Sequence, residues 1–594
     1  MFTGTELAET EYPSLGGDGR TAMVDVGESE PPVLALPAWL TLEVALYIGL
    51  LALAAGLRLW GLGDRLLWSG EAQAALAAWH ATRGEPTDLM YGPTLIYGST
   101  ALFFVFSAND LAARLLPALC GVVVVASPLL MRAHLGRKTA LFATLLLAIS
   151  PSSIQAPRTV SGGTIALALL LLTAWAWVRF RETQRTSYLV TAGVTAGLGL
   201  ASGPAIFALL VPLGLAVLDL RLAAPKYLRE FSLPKGTARR FGLVTLAALV
   251  TAGTGLLSQP FGLQTGVINA FATWAGGYFS GDIARSATAY AGGLAIYELA
   301  VLVPALVGLA VAEERRTWLR FLVGWAGIAL VISMLSGTAR PDWLLFVSFP
   351  LALAAAQTAS ELWERGIAKV PLSELGLFLA FTLPTVGLWG TVAGYQALPT
   401  SKIPAIVLLV PPVVFLMIVA PWLYWRGSTK TAYSLGALAG VVLLLFGVHT
   451  AADLNLGEAA NPSELLVGRT VDPDFRLLIE EIGAHTAVLA TPGSKDVPIL
   501  VDERYRYPLA WYLREYSQVS YGDILANQPT MAVFGLDKGP PSGEYRFKQY
   551  PVYESTAYAP KTPGQAWRWF MYREATGQVA REDVRLYVAM QNTR

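Results

Sequence analysis

The sequence predicts an α-helical polytopic membrane protein with about thirteen transmembrane helices and a C-terminal α/β domain. The 594 residues are 54% hydrophobic and only 14% charged, which is too apolar for a soluble chain of this length. Apolar runs of about 15–21 residues recur through residues 40–450, and such runs cross the hydrocarbon core as helices. Residues 451–594 instead alternate short strand-like runs with helical patterns.

Residues 1–38 are polar and acidic, and we expect them to form a disordered cytoplasmic tail before a membrane domain at 39–450. Proline and glycine interrupt helices, so Ser202–Pro204 divides one long run into two spans. The run 94–107 is too short to span and is predicted to be an interfacial or re-entrant helix. The predicted spans are 40–58, 111–131, 139–155, 163–178, 187–202, 203–218, 242–258, 293–312, 321–335, 343–360, 371–396, 405–425 and 433–450.

Basic residues orient the predicted bundle. The connections near 132–138, 179–185, 221–240 and 315–320 are rich in arginine and lysine and fall on one side of a thirteen-helix arrangement. The positive-inside rule makes that side cytoplasmic. An odd number of crossings then places the C-terminal domain outside. The sequence therefore predicts a multi-pass protein of the cell membrane with an extracytoplasmic domain at 451–594.

The C-terminal domain is predicted to contain a sheet of about four strands. Strand-like runs read TAVLAT, VPILVD, MAVFGL and RLYVAM, and helical patterns read DFRLLIEEIGAH and PLAWYLREYS. No zinc spacing, nucleophile elbow, phosphate loop or dinucleotide fingerprint is present in the chain. The net charge of +1 argues against a nucleic-acid partner, and the single cysteine, Cys120, excludes an intrachain disulfide.

Glu71 lies in the stretch LLWSGEAQAALAAWH, just after the first predicted span. It opens a helical pattern, where the helix dipole favours an anion. It is either an ordinary helix-start acid or a carboxylate that binds a metal or takes a proton from an acceptor. Tyr91 and Tyr97 follow in YGPTLIYGS and either belong to an aromatic belt or contact a substrate.

Two arginines are candidates for binding a phosphate. Arg114 lies one helical turn after Asp110 and either pairs with it or holds a phosphate. Arg158 is the one basic residue of the connection SPSSIQAPRTVSGGT. It binds either lipid headgroups and backbone carbonyls or a substrate phosphate.

Further candidates come later in the chain. Glu298 lies inside an apolar run, where an acid is costly and is either functional or paired with an arginine of the bundle. Arg340 and Asp342 lie just outside a predicted span, and Arg340 either pairs with Asp342 or binds a phosphate. Aromatic–arginine clusters at 505–521 and 567–574 either pack the domain or stack on sugars.

The order of these pieces resembles the dolichyl-phosphate-mannose-type, or GT-C, membrane glycosyltransferases. An acid-bearing outer helix is followed by YGPTLIY, LAARLLPALCG and then SP…R. The segments IYELAVLVPALVGL, RPDWLLFVSFPLALAA, YPLAWYLREY and WRWFMYRE resemble the flippase-activity-associated subgroup. The resemblance covers most of residues 40–594. It implies a polyprenyl-phosphate sugar donor within the bilayer, transfer on the outer face, and a glycan, lipid or protein acceptor.

The sequence departs from that family at both of its expected aspartates. The family's first outer loop reads Asp-Glu-Ala, but this chain has Gly70, Glu71 and Ala72. The family's second loop has an acid about five residues after an arginine, but Arg158 is followed by Gly163 at that place. A divalent cation needs two or more oxygen ligands, so no metal ligand is assigned and the cofactor requirement stays open.

Two functions therefore remain open from the sequence. The first is a glycosyltransferase in which Glu71 is the catalytic acid or base. The second is a catalytically inactive paralogue that binds or assembles a lipid-linked glycan. A transporter is a weaker third, because no repeated pair of broken helices is visible. The predicted substrate-binding residues are Tyr91, Tyr97, Arg114, Arg158, Glu298 and Arg340.

A neighbouring carboxylate would separate the two functions. Asp64 or Asp282 converging on Glu71 would restore the missing acid and favour the enzyme. Gly70 and Gly163 facing an uncharged cavity would favour the binding protein.

Overall fold

The computed structural model describes residues 41–590, apart from 225–235, 280, 282, 312–315, 338–339, 399–401, 403, 457–463, 468, 492–493, 523–528, 557–560 and 575–578. The predicted N-terminal tail lies outside the described residues. Residues 41–46 begin the first helix, and a second compact unit starts at Tyr47.

Within the described residues of the membrane part, every regular element is a helix. Short 3₁₀ or π segments lie at Ala156–Arg158, Gln264–Ile268, Pro341–Leu344, Ile367–Lys369 and Ala405–Leu409. The α-helices are α1 Leu42–Leu59, α2 Ser69–Thr82, α3 Pro93–Phe106, α4 Asp110–Leu130, α5 Arg132–Leu135, α6 Arg137–Ile149, α7 Pro151–Gln155, α8 Gly162–Thr183, α9 Thr186–Leu200, α10 Ala205–Ala223, α11 Thr237–Gly253, α12 Asn269–Gly276, α13 Ile283–Tyr297, α14 Leu299–Val311, α15 Arg316–Leu335, α16 Leu345–Arg365, α17 Leu372–Gln396 and α18 Val410–Asn455.

Eight helical stretches of the described residues are long and apolar enough to cross a membrane, or ten if two bent pairs each count as a span. The thirteen predicted crossings exceed this number. Helices α3 and α9 are apolar but short, with 14 and 15 residues. The predicted spans 405–425 and 433–450 both lie on α18, which has 46 residues. At 1.5 Å per residue α18 would be about 70 Å long, and a positive φ of 79° at Gly427 breaks it.

Two predicted spans are broken in the structure. The stretch 139–155 bends by 67° between α6 and α7, and the stretch 293–312 lies across an 83° bend between α13 and α14. Ser150 ends α6 and caps α7, because its Oγ accepts a hydrogen bond from Ser153 N. Glu298 occupies the second break, and its carboxylate accepts a hydrogen bond from Ser152 N at 2.9 Å. The two breaks therefore meet, and the Glu298 side chain satisfies a backbone N–H of the first break.

Helix α16 lies at the centre of the bundle. In the most apolar 18 consecutive residues of the stretch Pro341–Lys369, 94% are buried inside the protein rather than facing lipid. It packs against α6, α14 and α15. Its buried residues include Phe346, Phe349 and Leu351, which belong to the largest apolar core. This central helix fixes the position of the polar residues that precede it.

The C-terminal domain contains a mixed six-stranded sheet instead of the four strands expected. The strand order is β1-β5-β6-β4-β2-β3, and only β2 pairs in parallel, with β3 and β4. The predicted strand TAVLAT is wrong, because the helix before it continues through Leu489. The elements are β1 Arg469–Val471, α19 Phe475–Leu489, β2 Ile499–Val501, α20 Arg506–Tyr512, β3 Val519–Tyr521, β4 Met531–Gly535, β5 Tyr545–Thr556, α21 Pro563–Tyr572 and β6 Val579–Ala589.

Helix α20 joins the C-terminal domain to the start of the bundle. Asp110, at the first residue of α4, accepts hydrogen bonds from Trp511 Nε1 at 2.7 Å and Tyr512 OH at 2.9 Å. The Tyr512 hydroxyl also accepts a hydrogen bond from Leu67 N at 2.8 Å. Asp110 is thus engaged with the domain and not with Arg114, the pairing that its spacing suggested.

A second junction joins the domain to the bend between α13 and α14. Glu464 is buried, and its carboxylate accepts a hydrogen bond from Tyr297 OH and lies 3.2 Å from Arg573 Nε. The Arg573 guanidinium lies over the rings of Tyr297 and Trp569. The 567–574 aromatic cluster therefore packs between the domain and the helices.

Candidate functional site

Glu71 and Arg114 form a buried ion pair at the end of the bundle that faces α20. Glu71 is 2% exposed and Arg114 is 3% exposed. Arg114 Nε donates to Glu71 Oε1 at 3.0 Å, and Arg114 Nη2 donates to Oε2 at 2.6 Å. The remaining N–H groups of Arg114 donate to the carbonyls of Leu62, Arg65 and Leu66. This arginine is therefore used to hold the segment before α2.

Two backbone groups complete the surroundings of Glu71. Val160 N donates to Oε1 at 2.9 Å and Trp68 N donates to Oε2 at 3.3 Å. Burial alone would raise the pKa of Glu71, but the charge and hydrogen bonds of Arg114, with the Val160 N–H, hold this pKa below its usual value. A carboxylate with four donors and a lowered pKa is a weak base.

Asp342 brings a carboxylate to the place where the sequence lacks one. Its Oδ2 lies 3.1 Å from the position that a Cβ atom would take on Gly163. Ser161 Oγ donates a hydrogen bond to the same oxygen, and Gly163 N donates to Ser161 Oγ at 3.1 Å. The loop before α8 is therefore shaped around an acid that comes from the start of the α16 segment.

Arg340 lies beside Asp342, and its Nε donates to Asp342 Oδ1 at 3.1 Å. Its side chain keeps 23% of its surface exposed, unlike the buried Arg114. Within the described part of the chain, this is the one hydrogen bond that the guanidinium makes. The backbone is held by Tyr290, whose hydroxyl donates to the Arg340 carbonyl at 2.5 Å. Arg340 can therefore offer its outer N–H groups to an anion.

The Trp68 indole lies against Gly70. A Cβ atom on Gly70 would lie 2.4 Å from Trp68 Cη2, so the indole rests directly on the glycine. The Arg340 guanidinium carbon lies 5.5 Å from the centre of the Trp68 ring. The side chain is 39% exposed. Gly70 therefore faces an aromatic ring, and Gly163 faces a carboxylate.

These contacts form a closed ring that we call the Trp68–Asp342 ring. Glu71 binds the backbone N–H groups of Trp68 and Val160. Ser161, the residue after Val160, donates a hydrogen bond to Asp342. Asp342 in turn accepts a hydrogen bond from Arg340, and the Arg340 guanidinium stacks on Trp68. The ring connects residues from three distant parts of the sequence: 68–71, 160–163 and 340–342. Glu71 and Arg114 support it from inside the protein.

The two tyrosines of the YGPTLIYGS motif separate in the structure. Tyr91 OH donates to Gln73 Oε1 at 2.5 Å. Burial raises the pKa of Tyr91, partly opposed by the nearby charge of Arg340, so this phenol stays protonated beside the ring. Tyr97 instead packs on Gly255, whose added Cβ would lie 2.3 Å from the phenol oxygen. Tyr91 thus adjoins the site, whereas Tyr97 contacts the segment after α11.

Arg158 is buried and binds backbone carbonyls, as one of its two interpretations proposed. Its Nη1 donates to the carbonyls of Leu57 at 2.9 Å and Trp60 at 2.8 Å. Arg58 was not singled out from the sequence, yet it is fully buried and donates to Ala54, Leu147 and Ser153. Both cations are thus held by carbonyl groups near helix C-termini, where the dipole is favourable.

Glu298 is part of the packing between the two broken helices. Ser150 Oγ donates to its carboxylate at 2.8 and 3.0 Å, in addition to the bond from Ser152 N. The side chain is 1% exposed. Among the described residues, hydroxyl and backbone donors hold the buried Glu298 carboxylate, in place of the arginine partner that the sequence suggested. None of its hydrogen-bond partners is a member of the Trp68–Asp342 ring.

The acids of this region do not form a metal site. Within the described ranges no group of three His, Cys, Asp or Glu side chains could hold a metal ion. Glu71 is bound to Arg114, and both oxygens of Asp342 accept hydrogen bonds. Asp64 and Asp282 are the two acids whose convergence on Glu71 would favour the enzyme. Asp64 Oδ2 lies 2.8 Å from the position of a Cβ atom on Gly61, and Asp282 lies outside the described residues. A divalent cation does not fit these residues.

The long and broken apolar helices and the mixed-sheet domain define a polytopic membrane protein with a C-terminal sheet domain. Residues 91–260 match the family model described as dolichyl-phosphate-mannose-protein mannosyltransferase. A comparison with curated protein sequences found no match.

Two solved structures resemble the whole architecture. The crystal structure of ArnT from Cupriavidus metallidurans bound to undecaprenyl phosphate has a TM-score of 0.52 and 15% identity, covering 83% of this chain and 93% of ArnT. The apo structure of the same protein has a TM-score of 0.49 and 15% identity, covering 84% and 94%. The first likeness shows an ArnT-like fold for this chain.

Proposed function

We propose that this chain is a membrane glycosyltransferase that transfers a sugar from a polyprenyl-phosphate donor to an acceptor on the outer face of the cell membrane. The observation that carries the proposal is the carboxylate of Asp342 against Gly163, beside the partly exposed guanidinium of Arg340. The ArnT-like fold supports it, because one ArnT structure is described as bound to undecaprenyl phosphate. The flippase-activity-associated subgroup and the outward-facing C-terminal domain belong to the same proposal.

Sugar transfer needs a base for the acceptor and a cation for the leaving phosphate. In the proposed reaction the acceptor hydroxyl oxygen attacks the anomeric carbon, and the bond from that carbon to the phosphate oxygen breaks. The acceptor proton passes to Asp342, and the released phosphate keeps the bonding electrons and pairs with Arg340. Asp342 and Arg340 are therefore the proposed catalytic residues, in place of Glu71.

Glu71 and Arg114 receive a positioning role in this proposal. Their mutual hydrogen bonds leave little capacity for a substrate, but they fix the backbone of Trp68 and Val160. Arg158 and Glu298 are held by groups of the bundle and act through packing. Tyr91 borders the site and is proposed to contact the donor, whereas Tyr97 is proposed to contact lipid or the distal acceptor.

A binding protein without transferase activity is the second candidate. The observation that favours it is that both carboxylate oxygens of Asp342 already accept hydrogen bonds, from Ser161 and from Arg340. In that case the same ring would bind the lipid-linked glycan for another protein.

The experiment is transfer of label from a panel of polyprenyl-phosphate sugars, using purified protein and native membrane extract. The wild type is compared with Asp342→Asn and Glu71→Gln. Turnover that disappears in Asp342→Asn and survives in correctly folded Glu71→Gln supports the proposed transferase. Binding of a lipid-linked sugar without turnover in the wild type supports the second candidate instead.

A further inference from the structure

Trp68 and Gly70 lie against each other at the start of α2. The Trp68 indole rests on Gly70, at 2.4 Å from the position of an added Cβ. An aspartate at residue 70 would have to displace the ring. The remaining carboxylates are bound to arginines or a serine, so they do not supply the oxygen ligands that a divalent cation requires.

The Trp68 indole also supports the Arg340 guanidinium, whose positive charge would take the place of a metal ion's charge. Arg340 lies over the Trp68 ring with its guanidinium carbon 5.5 Å from the ring centre. Asp342 binds Nε of the same group at 3.1 Å. A guanidinium fixed by a ring and one carboxylate keeps its terminal N–H groups directed to an anion, where it binds phosphate in a fork geometry.

We infer that Trp68 is a positioning residue that holds Arg340 for the donor phosphate and makes phosphate binding independent of a divalent metal. This inference rests on the proposed function, because the phosphate it concerns is that of the polyprenyl donor. The backbone of Trp68 is in turn held by Glu71, which accepts its N–H at 3.3 Å. The Glu71–Arg114 pair therefore helps to fix the position of the Trp68 indole against Arg340.

Gly70 offers a selective way to test the position of the indole. The Gly70→Ala change suits a helix and places a methyl group against the ring, so the ring must shift. In a Trp68→Ala background the same methyl meets no ring. The inference therefore predicts that Gly70→Ala weakens donor binding in the wild type and has no further effect when Trp68 is absent.

The test measures the Kd of undecaprenyl phosphate for the full-length protein in detergent, with EDTA and with Mn²⁺. The wild-type Kd is expected to agree within about 2-fold in the two conditions. Arg340→Ala is expected to weaken binding about 10- to 100-fold, and Trp68→Ala about 3- to 10-fold. Trp68→Phe, which keeps an aromatic face, is expected to remain within about 3-fold of the wild type.

Arg83→Ala is the matched control. Arg83 also stacks on a tryptophan, Trp79, at 4.9 Å, but it lies at the far end of α2 and is 57% exposed. It should leave the Kd unchanged.

Three results overturn the inference. Wild-type binding that disappears in EDTA, or a Gly70→Ala effect that persists in the Trp68→Ala background, removes it while the proposed function stands. A wild type that binds no undecaprenyl phosphate in either condition removes both.

Discussion

Asp342 Oδ2 lies 3.1 Å from the point where a Cβ atom would stand on Gly163. The two residues are 179 positions apart in the sequence, and no local pattern connects them. A loop that lacks an acid in its own sequence is thereby supplied with one from the segment before the central helix. This relationship places a carboxylate beside Gly163, where the proposed acid–base chemistry would occur.

The first prediction concerns Asp342→Asn. The amide has nearly the same shape but cannot take the acceptor proton, so transfer should fall at least about 100-fold while donor binding stays within about 3-fold. Single-turnover transfer and donor binding measure the two quantities separately. Asp474→Asn, at an exposed position of the C-terminal domain, is the control. Equal loss of binding and transfer would contradict a role for Asp342 in proton transfer.

The second prediction concerns the Glu71–Arg114 pair. Glu71→Ala leaves a buried guanidinium without its carboxylate and should lower the free energy of unfolding by roughly 3–5 kcal/mol. The double change Glu71→Met with Arg114→Met should cost less than the sum of the two single changes. Denaturant unfolding of the purified protein in detergent measures both. A Glu71→Ala protein as stable as the wild type would refute the structural role.

The third prediction concerns acid stability of the C-terminal domain. Asp502 is buried; burial raises its pKa, but hydrogen bonds from Arg504 and Lys538 outweigh this and lower it to about 2. An unfolded aspartate has a pKa of about 3.9, so this contribution is complete above about pH 4 and is lost as the pH falls toward 2. Asp502→Asn should therefore lower the thermal unfolding temperature at pH 6 and have a smaller effect at pH 2.5. An equal effect at both pH values would contradict the assignment.

The fourth prediction concerns the junction at Arg573. Arg573→Met leaves Glu464 buried beside Tyr297 without its cation and should destabilise the protein by roughly 3 kcal/mol or more. Arg581→Met, which removes an exposed partner of Glu554, should change stability by less than about 1 kcal/mol. Thermal unfolding and limited proteolysis after α18 measure the difference. Equal effects of the two changes would show that the Arg573 junction does not hold the domain.

The sequence predicts the helical membrane part well because long apolar runs have few alternative structures in lipid. The prediction fails where hydrogen bonds to polar side chains allow a helix to end inside an apolar run. Ser150 and Glu298 each end a helix inside an apolar run, and their contact across 148 residues is invisible in either segment alone. The run TAVLAT, residues 486–491, was predicted to be a strand, but the amphipathic helix α19 continues through Leu489.

The candidate site was predictable only in part. Arg340 and Tyr91 were identified as charged or aromatic residues outside predicted spans, and both adjoin the ring. Asp342 was weighed only as a partner of Arg340, because its distance to Gly163 depends on the packing of the Pro341–Leu344 segment against α8. Trp68 was not selected, since an exposed tryptophan near a membrane surface is ordinary; the glycine two positions later was the available signal.

The most direct test of the account is an experimental structure of the full-length protein with undecaprenyl phosphate added. The account predicts the phosphate within hydrogen-bond distance of the terminal nitrogens of Arg340, next to Trp68 and Asp342, with Glu71 still bound to Arg114. A phosphate bound by Arg114 or Arg158, or a metal ion on Glu71, would contradict it.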